Sequence, residues 1–358
     1  MSALTVPADQ MTPRTGMESI SVSCEAKLER SASAGLTGHP SYDLRWLPVL
    51  ERGLSHPTYL LTASSAHGQV VGRLPLALVA SRLFGRFLVS LPYVNAAGVQ
   101  TSDPTIARRL IDEAVLLAAE LDCRYLELRQ EFAVEHPALT AARTDKCLMR
   151  MPLPSTVDAL WDGLKAKVRS QVRKGQRPGY DVRWGRHDQL DPFYAVFAHN
   201  MRDLGTPVFG RRLFAAILDH FGADAELCVV RDGQRPIAAA LLVHGREVTE
   251  VPSASALAAY RPTNVNMLMY WHLLARAVER GSQVFDFGRS TRDGNTFQFK
   301  KQWGAEPHPS VWQYHIRHGS MDAMRPDHAG NRRLIELWKR LPVWLTRVVG
   351  PSIVRGIP

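Results

Sequence analysis

Cysteine is scarce in this chain and poorly placed for chemistry: four among 358 residues (Cys24, Cys123, Cys147, Cys228), widely spaced and with no Cys-x-x-Cys pair. That spacing excludes a disulfide scaffold and a zinc knuckle, and it fits a reducing compartment. The 13 histidines lack the spacing of a metal site, so no metal is expected and they read as incidental. No segment approaches the roughly 20 apolar residues of a membrane span, and the first forty or so residues lack an apolar run behind a basic start, so a cytoplasmic protein is expected. Acidic residues are also in short supply. The 34 Asp and Glu against 44 Lys and Arg leave a net charge of +10, which favours anionic partners such as nucleotide diphosphates, tRNA, coenzyme A or an anionic leaflet.

Apolar residues are plentiful, and at 45% they are enough for two cores in a chain of this length. Residues 1–38 are rich in Ser, Thr, Ala and Gly without periodicity and read as a disordered leader, with order beginning near Tyr42. A short helix over Asp43–Arg52 is followed by strands at Thr58–Thr62, Val70–Val79 and Phe87–Leu91 and a loop over Pro92–Gly98. Asp103 then caps a helix with Pro104 at its first position and Ile106, Leu110, Ala114 and Leu117 on its apolar face, and Tyr125–Arg129 follows as a strand. The second half repeats this plan. Strands at Leu227–Arg231, Ile237–His244 and Glu247–Pro252, with Asp232-Gly233 as a hairpin signal, lead to a helix over Val265–Arg280 stopped by Gly281 and a strand at Val284–Phe287. Glu127-Leu128-Arg129 aligns with Asp286-Phe287-Gly288-Arg289, a weak internal duplication with a period of about 160 residues. An α/β (α+β) fold of two tandem domains is expected, over residues 39–152 and 153–320, each a mixed, mostly antiparallel sheet flanked by helices, with residues 321–358 as a tail.

Three segments of the second repeat carry the chemistry: Tyr260-Arg261-Pro262-Thr263-Asn264-Val265-Asn266, Phe285-Asp286-Phe287-Gly288-Arg289-Ser290, and Phe299-Lys300-Lys301-Gln302-Trp303-Gly304. They read as loop, helix, strand, loop and lysine. A helix whose first turn faces a cleft offers free N–H groups to an anion, and a cation nearby steadies an oxyanion, so an acyl-transfer pocket can be assembled there. Tyr260, Asn264 and Asn266 line the loop, with Tyr270 further along the helix. On a helix Lys300 and Lys301 point about 100° apart, so only one faces the cleft, and chemistry selects the one beside Trp303 and the aromatic partner of Phe299. By strand alternation Asp286 faces away from Phe285 and Phe287, where its carboxylate either takes a proton from an attacking amine or anchors Arg289 or a loop amide.

Between Lys165 and Arg186 stand eight basic residues and one acid, Asp181. Lys165, Arg169 and Arg173 share one helix face beside Lys174, which suits either phosphate binding or a solvated surface. Asn95 and Gly98 in the first repeat, and Asn200, Met201 and Arg202 before Gly205, are candidates for an acceptor cleft between domains or for plain turn chemistry. The tail from Asn331 to Arg355 mixes Trp338, Trp344 and leucines with arginines and is interrupted by Pro342. It reads as a basic amphipathic helix, suited to peripheral contact with the inner face of a membrane or to docking on the second domain.

The three segments resemble the FemABX family of peptidoglycan interpeptide-bridge ligases. Phe-Asp-Phe-Gly-Arg-Ser-Thr followed by Phe-Lys-Lys-Gln-Trp-Gly-Ala-Glu-Pro is most similar to FemAB-related proteins of exosortase/PEP-CTERM exopolysaccharide systems. The resemblance spans about residues 40 to 318 and implies two tandem GNAT-like acyltransferase domains. It also implies transfer of an aminoacyl or acyl group to an amine of a cell-envelope or exopolysaccharide precursor. Lys300 takes the place of the family's Phe-Lys lysine, thought to stabilise transition-state charge. Asp286 is the second catalytic candidate, and Arg169, Arg173, Lys174, Arg202, Tyr260, Asn264, Asn266, Tyr270, Arg289, Ser290, Phe299 and Trp303 are candidates for binding substrate. The implied donor is an aminoacyl-tRNA or an acyl-coenzyme A, and the implied acceptor is an anionic small molecule or a glycan-linked amine. Coenzyme A-dependent relatives carry glycines where Asn264 and Asn266 stand, and Pro262 removes a further N–H, which disfavours a coenzyme A pyrophosphate. The chain also lacks the long charged helical hairpin that would serve as a tRNA arm. A coenzyme A-dependent N-acetyltransferase and a non-catalytic nucleic-acid or membrane adaptor are the alternatives.

Overall fold

The computed structural model describes residues 20–26, 38–81, 84–319 and 332–357. The first half builds β1 (Ser21–Ala26), α1 (Trp46–Leu54), β2 (Thr58–Ser64), β3 (Val70–Ser81), β4 (Gly85–Val89), α2 (Pro104–Glu120) and β5 (Tyr125–Gln130). As the sequence predicts, Asp103 caps α2 by accepting from the Thr105 and Ile106 amides, with Pro104 in the first turn. Strands β6 (Ala141–Arg143) and β7 (Lys146–Pro152) lead into the second half. There α3 (Val157–Gly163), α4 (Ala166–Gln176), β8 (Asp181–Gly185), α5 (Leu190–Leu204) and α6 (Arg211–Phe221) precede the meander β9 (Ala225–Asp232), β10 (Arg235–His244) and β11 (Val248–Ala256). Then come α7 (Val265–Glu279), β12 (Val284–Thr291), α8 (Asn295–Gln302), β13 (Glu306–Pro309), β14 (Val311–Ile316), α9 (Arg332–Arg340) and α10 (Val343–Val354).

The expected leader needs a correction at Ser21–Ala26, which pairs antiparallel with β2 along its whole length. Val22 and Ile20 tuck against the first core, and the open edge of β2 supplies the backbone partners that a polar, weakly alternating segment cannot supply for itself. Residues 1–19 and 27–37 of that leader, and residues 320–331 of the tail, lie outside the described residues.

Among the described residues two seven-stranded sheets result, ordered β1-β2-β3-β4-β5-β14-β6 and β13-β7-β12-β11-β10-β9-β8. Each is mostly antiparallel with one parallel pair at its centre. β4 runs with β5 only over Phe87–Val89, and β11 runs with β12 only over Val248–Glu250, after which each pair diverges. The halves also trade strands. β7 inserts between β12 and β13 of the second sheet, and β14 returns from the C-terminal end to lie between β5 and β6 of the first.

Helix α7 is apolar almost all round, from Val265 through Met267, Leu268 and Leu273 to Val278, because it is buried between the second sheet and α3 and α4. A separate core joins the two halves: Trp46, Leu47 and Leu50 of α1 meet Phe193 and Phe197 of α5, Phe214 of α6 and Leu227 and Leu241 of the second sheet. Shared apolar burial of this extent holds the diverging strand pairs of both sheets in fixed relation.

Candidate functional site

The divergence of β11 from β12 begins where two carboxylates stand side by side, Glu250 opposite Asp286 in the parallel register. Phe285 and Phe287 go to the second core, which turns Asp286 toward the first domain, where it is 1% exposed. It accepts from three donors: His39 Nε2 at 3.1 Å, Arg150 Nε at 2.8 Å and the Gly288 amide at 2.6 Å. His39 Nδ1 in turn accepts from the Ser41 amide, so a neutral ring carries its proton on Nε2, facing Asp286. Arg150 also grips Glu131 through both terminal nitrogens at 2.7 Å, and Tyr42 donates to the same Glu131. Burial pushes the Asp286 carboxyl up, but the His39 and Arg150 contacts outweigh it and hold the group below the usual carboxylate range. Glu250 goes the other way, raised by burial and by the Asp286 charge despite His39, Ser41 and Asn95. Of the pair, Asp286 is the more acidic member.

Gly288 makes this arrangement possible. Its φ of +72° lies in the left-handed region, and a Cβ there would stand 2.9 Å from Asn95 Nδ2, which donates to Glu250. The kink that follows throws the Gly288 and Arg289 carbonyls to one side, and Lys300 Nζ from α8 donates to both at 3.0 Å. Lys300 is buried, and desolvation lowers its pKa to about 8 in spite of the Asp286 charge. Its neighbour Lys301 is exposed, its ammonium near the Phe297 ring.

Beyond the kink the divergence opens into a cavity of about 380 Å³ lined from both halves: Tyr93, Arg129 and Trp312 from the first sheet and its loops, Ser253 and Arg289 from the second, and Asn200 from α5. Met201, another sequence candidate, also lines it, as does His56, which burial and Arg355 push down to about 4. Val354 and Ile357, at the end of α10, line the same cavity. Tyr93 and Ser253 bridge the halves through their hydroxyls at 3.0 Å. Arg129 lies over the Trp312 ring at 4.1 Å and Arg289 at 3.9 Å.

Of the candidates named from sequence, Arg289, Asn200 and Met201 line this cavity, while Asp286 and Lys300 stand behind it as its support. Tyr270, Phe299 and Trp303 form an aromatic cluster with Phe287 in the second core. Tyr260 turns outward and donates to Asp232. Asn264 takes a left-handed φ of +61° at the start of α7, and α4 packs close against it at Gly175. Arg169 donates to the carbonyls of Trp161, Asp162 and Leu164, Arg173 lies over the Trp161 ring, and Lys174 is exposed. Arg202 binds Asp203 and the Leu341 carbonyl, tying α5 to the tail. The Ser290 hydroxyl is buried without a partner among the described residues.

Sequence reasoning missed His39, Arg150, Glu131 and Glu250, which the exchanged strands and the segment before α1 bring together from distant parts of the chain. Reading the histidines as incidental fails for His39. Arg129 and Trp312 were missed as well. The duplication did hold a signal, because it placed Arg129 and Arg289 at equivalent strand ends, and both now stack on one indole.

Residues 163–301 match the family described as Acetyltransferase (GNAT) domain. Among solved structures, FemX superposes with a TM-score of 0.59 at 15% identity, covering 88% of this chain and 100% of its own. L-PGS from Bacillus licheniformis gives 0.53 at 13% identity over 89% of this chain and 99% of its own. A conserved protein of unknown function from Bacteroides thetaiotaomicron VPI-5482 gives 0.53 at 9% identity over 80% and 95%. No curated protein matches the sequence. The chain shares the overall fold of FemX, with two GNAT-like halves, and residues 163–301 of the second half match an acetyltransferase (GNAT) domain.

Proposed function

We propose that this protein transfers an aminoacyl or acyl group from an activated donor to an amine of a cell-envelope or exopolysaccharide precursor, within the cleft between its two GNAT-like halves. The observation that carries the reading is that the diverging β11 and β12 of the acyltransferase domain open onto a cavity whose other wall comes from the first half. An acceptor held by the first half and an acyl donor on the second would meet there, which is how proximity lowers a bimolecular barrier. Asp286, saturated by three donors and held acidic, is a poor base, and His56 is a weak one. The amine therefore enters neutral or loses its proton to the donor itself. Lys300 acts as a positioning residue, fixing the backbone of Arg289.

The donor is expected to bring its phosphates past the basic surface of α4, where Arg173, Lys174 and Arg177 are exposed close to the start of α7. Coenzyme A remains the second reading, because the matching family is one of acetyltransferases. Incubating the purified protein with amino-sugar acceptors and either aminoacyl-tRNA or acetyl-coenzyme A, with product masses read by mass spectrometry, tests both. N-acylated product with aminoacyl-tRNA supports the first reading. Product with acetyl-coenzyme A alone promotes the second, and none with any donor overturns transfer.

A further inference from the structure

We infer that Arg289, Arg129 and Trp312 form a receptor for one oxyanion, a carboxylate or a phosphate, carried by the acceptor. This deepens the transfer reading of the same cleft and rests on it for the identity of the ligand, but not for the existence of the site.

The argument is one of charge that is not cancelled. Arg129 is paired with Glu127 at 2.7 Å and also donates to the Val94 carbonyl. Arg143, whose guanidinium carbon lies 5.9 Å from the Trp312 ring, is paired with Asp145 at 3.4 Å. Arg289 has neither relief. Its guanidinium, half-buried and 3.9 Å over the same indole, donates to no acceptor among the described residues. Of the three guanidiniums around the indole, Arg289 alone has no carboxylate partner among the described residues. Stacking on a ring face leaves the in-plane N–H groups of a guanidinium free, which is the geometry of bidentate oxyanion binding. Trp312 supplies a second sign: it is 9% exposed, and its indole N–H is buried without an acceptor among the described residues. An unpaired guanidinium and an orphaned N–H, carried by two residues that line one cavity, are each destabilising as they stand, and we infer that a bound oxyanion satisfies both. Burial and the Arg129 charge also lower the Arg289 pKa to about 9, a strain that a bound anion relieves.

Titration calorimetry on the full chain with glucuronate, glucose 1-phosphate and neutral glucose tests the site without any turnover. We expect either anion to bind and glucose not to, with Arg289→Gln weakening the anion by at least about tenfold. In the wild type, the indole N–H resonance missing from Trp312→Phe should shift on adding the anion, which keeps the test valid should Arg289→Gln fold poorly. Tighter glucuronate would identify a carboxylate acceptor, and tighter glucose 1-phosphate a phosphate one. Equal response to glucose, an unmoved indole signal, or unchanged binding by folded Arg289→Gln overturns the proposal. Arg289-dependent anion binding in a protein that acylates nothing would uphold the site and sink the transfer reading; transfer with Arg289-independent binding would do the reverse.

Discussion

Replacing Asp286 separates an anchor from a catalytic base. Asp286→Ala removes the acceptor of His39, of Arg150 and of the Gly288 amide at once. Breaking a buried ion pair from one side typically costs about 3–5 kcal/mol. Here Arg150 keeps both bonds to Glu131, which puts the expected loss near the lower end, about 3 kcal/mol. Asp286→Asn preserves the shape and one acceptor oxygen for Gly288 but turns an NH₂ group toward the His39 and Arg150 donors, so about 2 kcal/mol is expected. For a chain of this size about 3 kcal/mol corresponds to a fall in Tm of about 4 °C. The assay is urea unfolding at pH 7 followed by circular dichroism, run beside acyl transfer. The folded-state pKa of Asp286 is depressed, so its stabilising contribution is fully present above the ordinary carboxylate value near 4 and is lost as pH falls through the lowered one. The gap between wild type and Asp286→Asn should therefore be constant at neutral pH and close in acid. The reasoning is refuted if Asp286→Ala unfolds within about 1 kcal/mol of wild type. It is equally refuted if Asp286→Asn keeps its stability and its pH profile while losing about a hundredfold or more in rate, the behaviour of a base.

Lys300→Met should remove a pH dependence as well as two hydrogen bonds. The folded pKa near 8 lies below the unfolded value near 10.4, so the unfolded chain binds more protons between them and the wild type gains about 3 kcal/mol over the variant as pH rises through that window. Unfolding midpoints of both proteins at pH 7.5 and 10 check the sign, and a constant gap refutes it. Gly288→Ala forces a Cβ against Asn95 at a left-handed φ and should cost about 2 kcal/mol in the same assay; a neutral effect would mean that the kink is not strained. In the tail, Trp344 and Val348 are 67% and 69% exposed while Thr346 and Val354 are buried, with Arg340 and Arg347 exposed near them. That face is proposed to touch an anionic membrane, so Trp344→Asp with Val348→Asp should reduce sedimentation with phosphatidylglycerol vesicles by at least about tenfold in low salt. Equal sedimentation of variant and wild type would remove the membrane role.

The structure contains what local rules make legible. The Asp103 cap with Pro104, the Asp232-Gly233 hairpin and the apolar α7 before a glycine stop all follow from short-range backbone chemistry, and each stands where the sequence placed it. The repeat of sheet, helix and strand was equally readable, because the same burial pattern recurs about 160 residues on. The aromatic motif around Phe299 and Trp303 was visible, yet it turned out to be core packing around Tyr270, since periodicity reports burial and not purpose.

What the chain alone determined was two sheets and their order along the sequence. Only the tertiary structure decided that β7 and β14 trade places, that Arg150 and His39 reach Asp286 from the other half, and that two arginines far apart in sequence share one indole. The physical reason is that strand exchange and buried charge pairing are chosen by the whole packed molecule. A strand edge or a carboxylate accepts any partner of suitable chemistry, and which one arrives depends on the closure of the shared core.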